Sequence, residues 1–343
     1  MIYFIVNPVA GHGKSKAAVP IISKLMSEMC VEHKFIYTEC PGDSLRVAGI
    51  INSGSAPATA TKTTATTMVI ATEAATEAAT EATTEAATEA ATSTAVAATP
   101  AATAIACVGG DGTVQEFIDL AMDMDLPLGV VPTGSANDLL YSMPEGKKKC
   151  SSFQEQILYY TRKIVAGSTM RMDAVSVNRS ISFLNIGGIG IDIQVLKDAL
   201  PLKKSFGGGA YFLSLVKNAM TYMAEEMTLT IDDKTEKDSY VLLSVCNGAY
   251  YGGHLRIAPP ASINDGNLTL CKVRKMARAK MTIMFPLVKP GWHSRLREVS
   301  FTNCTSVSIE FEGKRTVNLD GNLMELGSPL RFDILKGAVR FIV

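Results

Sequence analysis

The chain has 343 residues, 47% of them hydrophobic, with 33 basic and 33 acidic side chains and a formal charge of zero. That length suits about two domains with a real core, and the composition excludes a disulfide-stapled mini-protein, a collagen-like repeat and a highly charged disordered tail. Both averages conceal contrasts: residues 52–104 hold 20 Ala and 16 Thr, and the charge divides into 9 basic against 16 acidic residues through position 150 and 24 against 17 beyond it.

Met1 runs straight into the apolar stretch Ile2–Val6, then Asn7-Pro8 and Gly11. This reads as a strand and turn, because a signal peptide needs a basic start and a longer apolar core. Lys16–Glu28 is predicted as an amphipathic helix through Ala17, Val19, Ile21, Ile22, Leu25 and Met26, His33–Tyr37 as a second strand, and Gly42–Ile51 as a second helix. The Ala/Thr-rich insert of about 52–104 follows, with a TEAA repeat from Thr72 to Thr92 that spaces Glu73, Glu77, Glu81, Glu85 and Glu89 four apart. Four-residue spacing drifts around a 3.6-residue helix, like charges at i,i+4 repel, and there is no large apolar face to dock. A marginal helix or disorder without a catalytic role is expected there, with Met68-Val69-Ile70 as a strand fragment.

Past the insert, Ala104–Val108 reads as a buried strand, Val114–Met124 as a helix and Leu128–Val131 as a fourth strand. Such alternation predicts an α/β layer with a mainly parallel sheet. Near residue 170 the pattern changes to short strands: Arg171–Asn178, Ser182–Ile186, Thr228–Asp232, Ser239–Cys246, Leu268–Val273, Ser306–Phe311 and Thr316–Leu319, with one helix near Gly209–Ala224. That predicts a mostly antiparallel β-sandwich domain. No uncharged apolar run reaches about 18 residues, so no membrane span is expected. Seven cysteines without a CxxC pair fit a reducing cytoplasm and argue against a zinc site. Four scattered histidines (His12, His33, His254, His293) give no support to a His metal centre or a Ser-His-Asp hydrolase, although His12 and His254 adjoin glycine-rich loops.

Three loops stand at strand ends of the α/β part. Asn7-Pro8-Val9-Ala10-Gly11-His12-Gly13-Lys14-Ser15 ends like a GxxxxGK[ST] phosphate loop, but its first glycine would fall on Pro8, so it is not one. Gly109-Gly110-Asp111-Gly112-Thr113, with Glu116 three residues on, allows close backbone approach to a ligand and leads into a helix whose N–H groups suit phosphates. Pro132-Thr133-Gly134-Ser135-Ala136-Asn137-Asp138 adds a hydroxyl and a second carboxylate. Ligands in open α/β sheets gather at the carboxyl ends of strands, so the three loops are expected to converge.

NPxxG, GGDGT and PxGSxND in this order resemble the diacylglycerol-kinase catalytic family, most of all its bacterial lipid kinases. The likeness covers essentially the chain apart from the insert, continuing in Phe183–Asp192, Tyr251-Gly252-Gly253 and the APxAxxxDG segment at Ala258–Gly266. It implies a nucleotide-binding domain over 1–140, a lipid-substrate β-sandwich over 141–331 and a last strand over 332–343 that returns to the first domain. It also implies transfer of phosphate from ATP to a lipid hydroxyl, most simply diacylglycerol to give phosphatidic acid. ATP would lie across Asn7, Pro8, Gly11, Thr38, Gly109, Gly110, Asp111, Gly112 and Thr113, with Glu116, Gly134, Ser135, Asn137 and Asp138 completing the pocket. Ser135 keeps the hydroxyl of the threonine usual in the family. One Mg²⁺ would be held around Ser262, Asp265 and Asn267, through the Asp265 side chain and carbonyls of the other two, and a second would travel with ATP near Asp111. Phosphoryl transfer asks for positioning, metal ions and a base for the hydroxyl, which matches this inventory.

The family's base belongs to an Asp-Gly-Glu, where this chain reads Asp320-Gly321-Asn322. An amide cannot accept the proton, and general-base help is worth roughly 10²–10⁴-fold. Asp320 as the base, proton loss to the phosphate, a weak catalyst, or Glu325 swinging in are the open readings, and Asn322→Glu is expected to raise turnover. Residues 272–297 hold eight Lys/Arg, no Asp or Glu, and the only tryptophan, Trp292. They fit either a solvated basic helix with a core tryptophan or peripheral docking at the inner membrane face. No nucleic-acid motif is present, and the oligomeric state, a homodimer included, stays open. The rival readings are an NAD-kinase-like enzyme with a soluble substrate and a nucleotide- or lipid-binding regulator that has lost turnover through Asn322.

Overall fold

In the computed structural model, which describes residues 1–53, 103–144, 148–206, 214 and 217–343, the parallel sheet forms as the alternation requires. Its strands are β1 (Ile2–Val6), β2 (His33–Tyr37), β3 (Ala104–Gly109) and β4 (Leu128–Pro132), side by side in the order β4-β3-β1-β2 and all parallel. Every residue of β1, β3 and β4 is buried, because helices cover both faces. Ile2, Phe4 and Val6 face Ala18, Ile22 and Met26 of α1 (Lys14–Glu28) and Ile157 and Ile164 of α6 (Phe153–Ala166). Tyr3 and Ile5 face the opposite way, toward Val47 and Ile51 of α2 (Ser44–Ser53). The expected helix over 114–124 is two: α3 (Asp111–Glu116) and α4 (Ile118–Asp123), broken at Phe117, which leaves helical geometry at φ −112°. A short α5 (Asp138–Ser142) follows the third loop.

The remaining strands are mostly antiparallel. The stretch expected as one strand at 182–186 is β6 (Ile181–Phe183) and β7 (Ile186–Gly190). It breaks because the N–H groups of Leu184, Asn185 and Ile186 all donate to the Asp320 carboxylate instead of to a neighbouring strand. After α7 (Ile191–Phe206) come β8 (Glu225–Ile231), β9 (Lys234–Cys246), β10 (Leu268–Arg274), β11 (Val299–Cys304), β12 (Ser306–Glu310), β13 (Lys314–Leu319) and β14 (Asn322–Gly327). The last strand, β15 (Leu330–Ile342), pairs antiparallel with β12 and with β5 (Thr169–Val177), then lies parallel to β4 where Phe341 meets Leu128. One strand thereby ties the β domain to the α/β sheet. Helix α7 was not expected from sequence, whereas a helix over Arg278–Val288 lies inside the 272–297 stretch for which a basic helix was one reading. Of the helix expected near Gly209–Ala224, Ser214 and residues 217–221 are helical. The TEAA repeat and Met68-Val69-Ile70 lie outside the described residues.

Candidate active site

The three strand-end loops are knitted together. Asn7 Nδ2 donates to Thr113 Oγ1 at 3.1 Å, and Asn7 Oδ1 accepts from the Val9 N–H just past Pro8. The N–H groups of Thr133 and Gly134 both donate to the Gly109 carbonyl, at 2.9 and 3.1 Å, and the Ser15 and Thr133 hydroxyls meet at 2.6 Å. Gly11 is obligatory on two counts: its φ is +59°, and a Cβ there would sit 1.9 Å from the Thr133 carbonyl oxygen. Thr38 joins this rim through its N–H to the Val6 carbonyl, and Glu116 accepts from the N–H of Asp43 in the same β2–α2 loop. Gly110 and Gly134 are half-buried and Ser135 is exposed. Asn137 stands in left-handed geometry (φ 56°), with its Nδ2 on the Gly134 carbonyl. Its buried Oδ1 has no donor among the described residues, leaving an acceptor among the glycine loops for a ligand or a water.

Three carboxylates lie behind this rim. Asp111 accepts from the Asp138 and Leu139 N–H groups at 2.9 and 3.1 Å, so it caps α5 from another loop. Withdrawal from water and the Asp138 charge push its pKa up to about 6, against the pull of those N–H groups. Asp138, itself buried, takes the N–H groups of Gly253 and His254 at 2.9 and 2.7 Å and the His254 ring Nδ1 at 3.0 Å. Asp320 is buried with φ 49°, and its two oxygens take the three N–H groups of residues 184–186 at 2.8–3.2 Å. Burial dominates and pushes its pKa up to about 7; the three N–H donors oppose that and the charge of Asp111 adds to it. Asp320 has both oxygens engaged by these backbone donors. It fixes the turn that carries Asn322.

Asn322 is not an idle replacement. Its Nδ2 donates to the Gly112 carbonyl at 3.1 Å and to Gln115 Oε1 at 2.6 Å, while Gln115 Nε2 donates to the Ser182 carbonyl. The start of β14 is thus bonded to the GGDGT helix across the domain boundary. Glu325 cannot stand in as the base. It is three residues along β14 and so on the opposite face of the strand, where it accepts from Thr316 Oγ1.

The metal segment forms a turn: Asp265 Oδ1 accepts from the Asn267 N–H at 2.9 Å, and Ser262 Oγ donates to Asn264 Oδ1. Asp265 is exposed, and one carboxylate with neighbouring carbonyls is a donor set of the hard oxygen type that Mg²⁺ takes together with waters. No group of three or more His, Cys, Asp or Glu suited to a metal ion occurs among the described residues. Sequence reasoning missed Asp173, which holds this loop: its oxygens accept from the Gly266 and Gly337 N–H groups, both at 2.6 Å. An aspartate inside the apolar strand Thr169–Val177 was the available signal. Asn185 was also missed; it accepts from Ser142 Oγ of α5 and donates to the Tyr250 carbonyl.

A parallel nucleotide-type sheet with glycine loops at its carboxyl edge, closed by an antiparallel domain carrying a buried Asp-Gly turn, defines a two-domain kinase. The diacylglycerol kinase catalytic domain model matches residues 1–177, and the YegS C-terminal NAD kinase beta sandwich-like domain matches residues 186–343. The chain belongs to the diacylglycerol kinase catalytic domain family and is a lipid kinase, a transferase that uses ATP. It is 26% identical over 245 residues to a protein named probable lipid kinase YegS-like from Shewanella frigidimarina, covering 68% of this chain and 74% of that one. It is 27% identical over 220 residues to a diacylglycerol kinase of Bacillus subtilis, covering 63% and 70%. The fold is also that of a diacylglycerol kinase crystal structure from Bacillus anthracis, with TM-score 0.68, 20% identity, and coverage of 99% of this chain and 96% of that one.

Proposed function

We propose that this chain transfers the γ-phosphate of ATP, with Mg²⁺, to the hydroxyl of diacylglycerol, giving phosphatidic acid. The observation that carries the reading is the meeting, through Asn322 and Gly112, of the glycine loops with the Asp320–Asn322 turn of the second domain. That turn is where an acceptor hydroxyl would approach a phosphate lying on the loops. In this reading the loops hold the nucleotide, Asp265 and adjacent carbonyls hold a structural Mg²⁺, and a second Mg²⁺ accompanies the phosphates near Asp111. The relative from Bacillus subtilis carries the same substrate in its name.

A route to a lipid bilayer supports the lipid branch over a soluble acceptor. Trp292 is 54% exposed and Ile283 64% exposed, so the tryptophan is not in the core. Met220 and Met223 are also exposed, on the segment whose Ala219 and Tyr222 share a core with Met281 and Met284. Of the eight basic residues in 272–297, Lys272, Arg274 and Lys280 pair with Glu236, Asp238 and Glu298. Lys275, Arg278, Lys289, Arg295 and Arg297 remain exposed around the apolar tips, a pattern suited to an anionic membrane surface. No described helix is long and apolar enough to cross a membrane.

The deciding experiment is radiolabel transfer from γ-labelled ATP with Mg²⁺ to diacylglycerol, a sphingoid base and other lipid alcohols in mixed micelles, with NAD as the soluble comparator. Labelled phosphatidic acid is expected. Labelled NAD would move the chain to the soluble-substrate reading, and tight ATP binding with no transfer would make it a regulator.

A further inference from the structure

The family's glutamate is absent at 322, both oxygens of Asp111 and of Asp320 are held by backbone donors, and Glu116 accepts the Asp43 N–H through Oε1. The histidine beside Asp138 is built differently. Asp138 Oδ1 lies 3.0 Å from His254 Nδ1, and that carboxylate also accepts the N–H groups of Gly253 and His254, so it acts purely as an acceptor. The proton of a neutral ring is then on Nδ1, and Nε2 is the free lone pair. Tyr141 packs against the ring, with centroids 3.8 Å apart and planes tilted by 34°. The side chain keeps 36% of its exposure, and Nε2 has no partner among the described residues. His12, the other histidine near the loops, is exposed, and no carboxylate among the described residues pairs with it.

The backbone adds a second, independent sign. Residues 252–254 are consecutively left-handed, with φ of +64°, +87° and +70°. Two are glycines, which adopt this freely; the third is His254, for which it is strained. Strain of this kind persists where the surroundings hold it and tends to gather at functional sites. The N–H that Asp138 grips would be supplied equally by a glycine. What the histidine adds is its ring.

We propose that the Asp138–His254 pair is the proton-accepting device of this kinase, doing the work that Asn322 cannot. It rests on the kinase reading above. As the acceptor hydroxyl oxygen bonds to the γ-phosphorus, its proton passes to His254 Nε2. The bond between that phosphorus and the β–γ bridging oxygen breaks, and ADP departs with the electron pair. Asp138 holds the ring in the accepting tautomer and stabilises the imidazolium that forms.

His254→Gly tests this without threatening the fold, since glycine suits the backbone and keeps the N–H to Asp138. With saturating ATP and lipid, turnover is expected to fall about 10²–10⁴-fold. The apparent ATP affinity is expected to stay within about threefold. Added imidazole should recover turnover by filling the space between Asp138 and Tyr141. Turnover within threefold of the parent, or a fall that imidazole does not relieve, overturns the proposal. If the parent labels no lipid, the lipid reading fails by itself; ADP release to water, measured in parent and variant, still reads the proton step. ¹⁵N spectra of the parent at pH 8 give a readout that needs no turnover: an Nδ1–H tautomer is expected, and an Nε2–H tautomer refutes the device.

Discussion

Replacing Asn322 by aspartate keeps size and shape while turning the Nδ2 donor into an acceptor. Two hydrogen bonds disappear, to the Gly112 carbonyl at 3.1 Å and to Gln115 Oε1 at 2.6 Å, each worth about 0.5–1.5 kcal/mol net. The new oxygen also faces two oxygens left without a donor, and Gln115 cannot turn its amide to help without surrendering its bond to the Ser182 carbonyl. A loss of about 2–4 kcal/mol follows. At about 2–4 °C per kcal/mol, typical of chains somewhat shorter than this one, Tm falls by about 4–16 °C. Asn322→Ala removes the donor without adding the repulsion, so it is expected to cost less than the aspartate. Scanning calorimetry of the two variants checks the order, and an aspartate variant as stable as the alanine variant refutes the latch. The same geometry reverses what sequence alone predicts for Asn322→Glu. A glutamate cannot keep either bond, and a Cβ placed on Gly112 would lie only 2.8 Å from Asn322 Oδ1, so the space is tight. Turnover is expected to stay level or fall; a tenfold rise in the transfer assay would restore position 322 as the missing base.

Other outcomes follow from the same structure. The folded pKa values of Asp111 and Asp320, about 6 and about 7, lie above the unfolded carboxylate value near 3.9, so the folded state binds more protons between about pH 4 and 7. Their contribution is fully present below pH 4 and is lost as pH rises through 7. Lowered carboxylates such as Asp43, Asp232 and Glu236 act in the opposite sense in parent and variant alike, so the parent's Tm should fall more, or rise less, across that window than that of Asp320→Asn. An Asp320→Asn slope identical to the parent's would show that Asp320 does not titrate there. Replacing 54–102 by a short flexible linker should leave ATP affinity unchanged, because the insert joins β3 at the end opposite Gly109; loss of ATP binding in a folded variant, by calorimetric titration, would refute this. Sedimentation with anionic vesicles should show binding that weakens with added salt and with Lys275→Glu plus Arg278→Glu, and salt-indifferent binding would remove the docking patch.

The parallel half of the fold was legible because its strands are continuous apolar runs between helices of clear period, and Ile2–Val6 and His33–Tyr37 fall where the pattern put them. The loop residues were legible for a different reason: glycines and amides at strand ends have few other uses, and Gly11 against the Thr133 carbonyl illustrates it. What stayed hidden are contacts between distant segments that no periodicity encodes. Asp320 breaks the predicted strand at 182–186 from 134 to 136 residues away, and Gln115 meets Asn322 across 207. Asn322 therefore looked like a lesion in a motif, when it is half of a bond whose other half lies in the first domain. His254 showed in the sequence only as a histidine beside a glycine-rich loop, because its left-handed backbone and its aspartate appear only once the chain is folded. An acidic base missing from one strand and a strained, carboxylate-held imidazole on another loop are one observation if both serve the same proton. Combining Asn322→Glu with His254→Gly weighs that link directly: independent roles give losses that add, whereas a shared role lets the glutamate recover part of what the glycine removes.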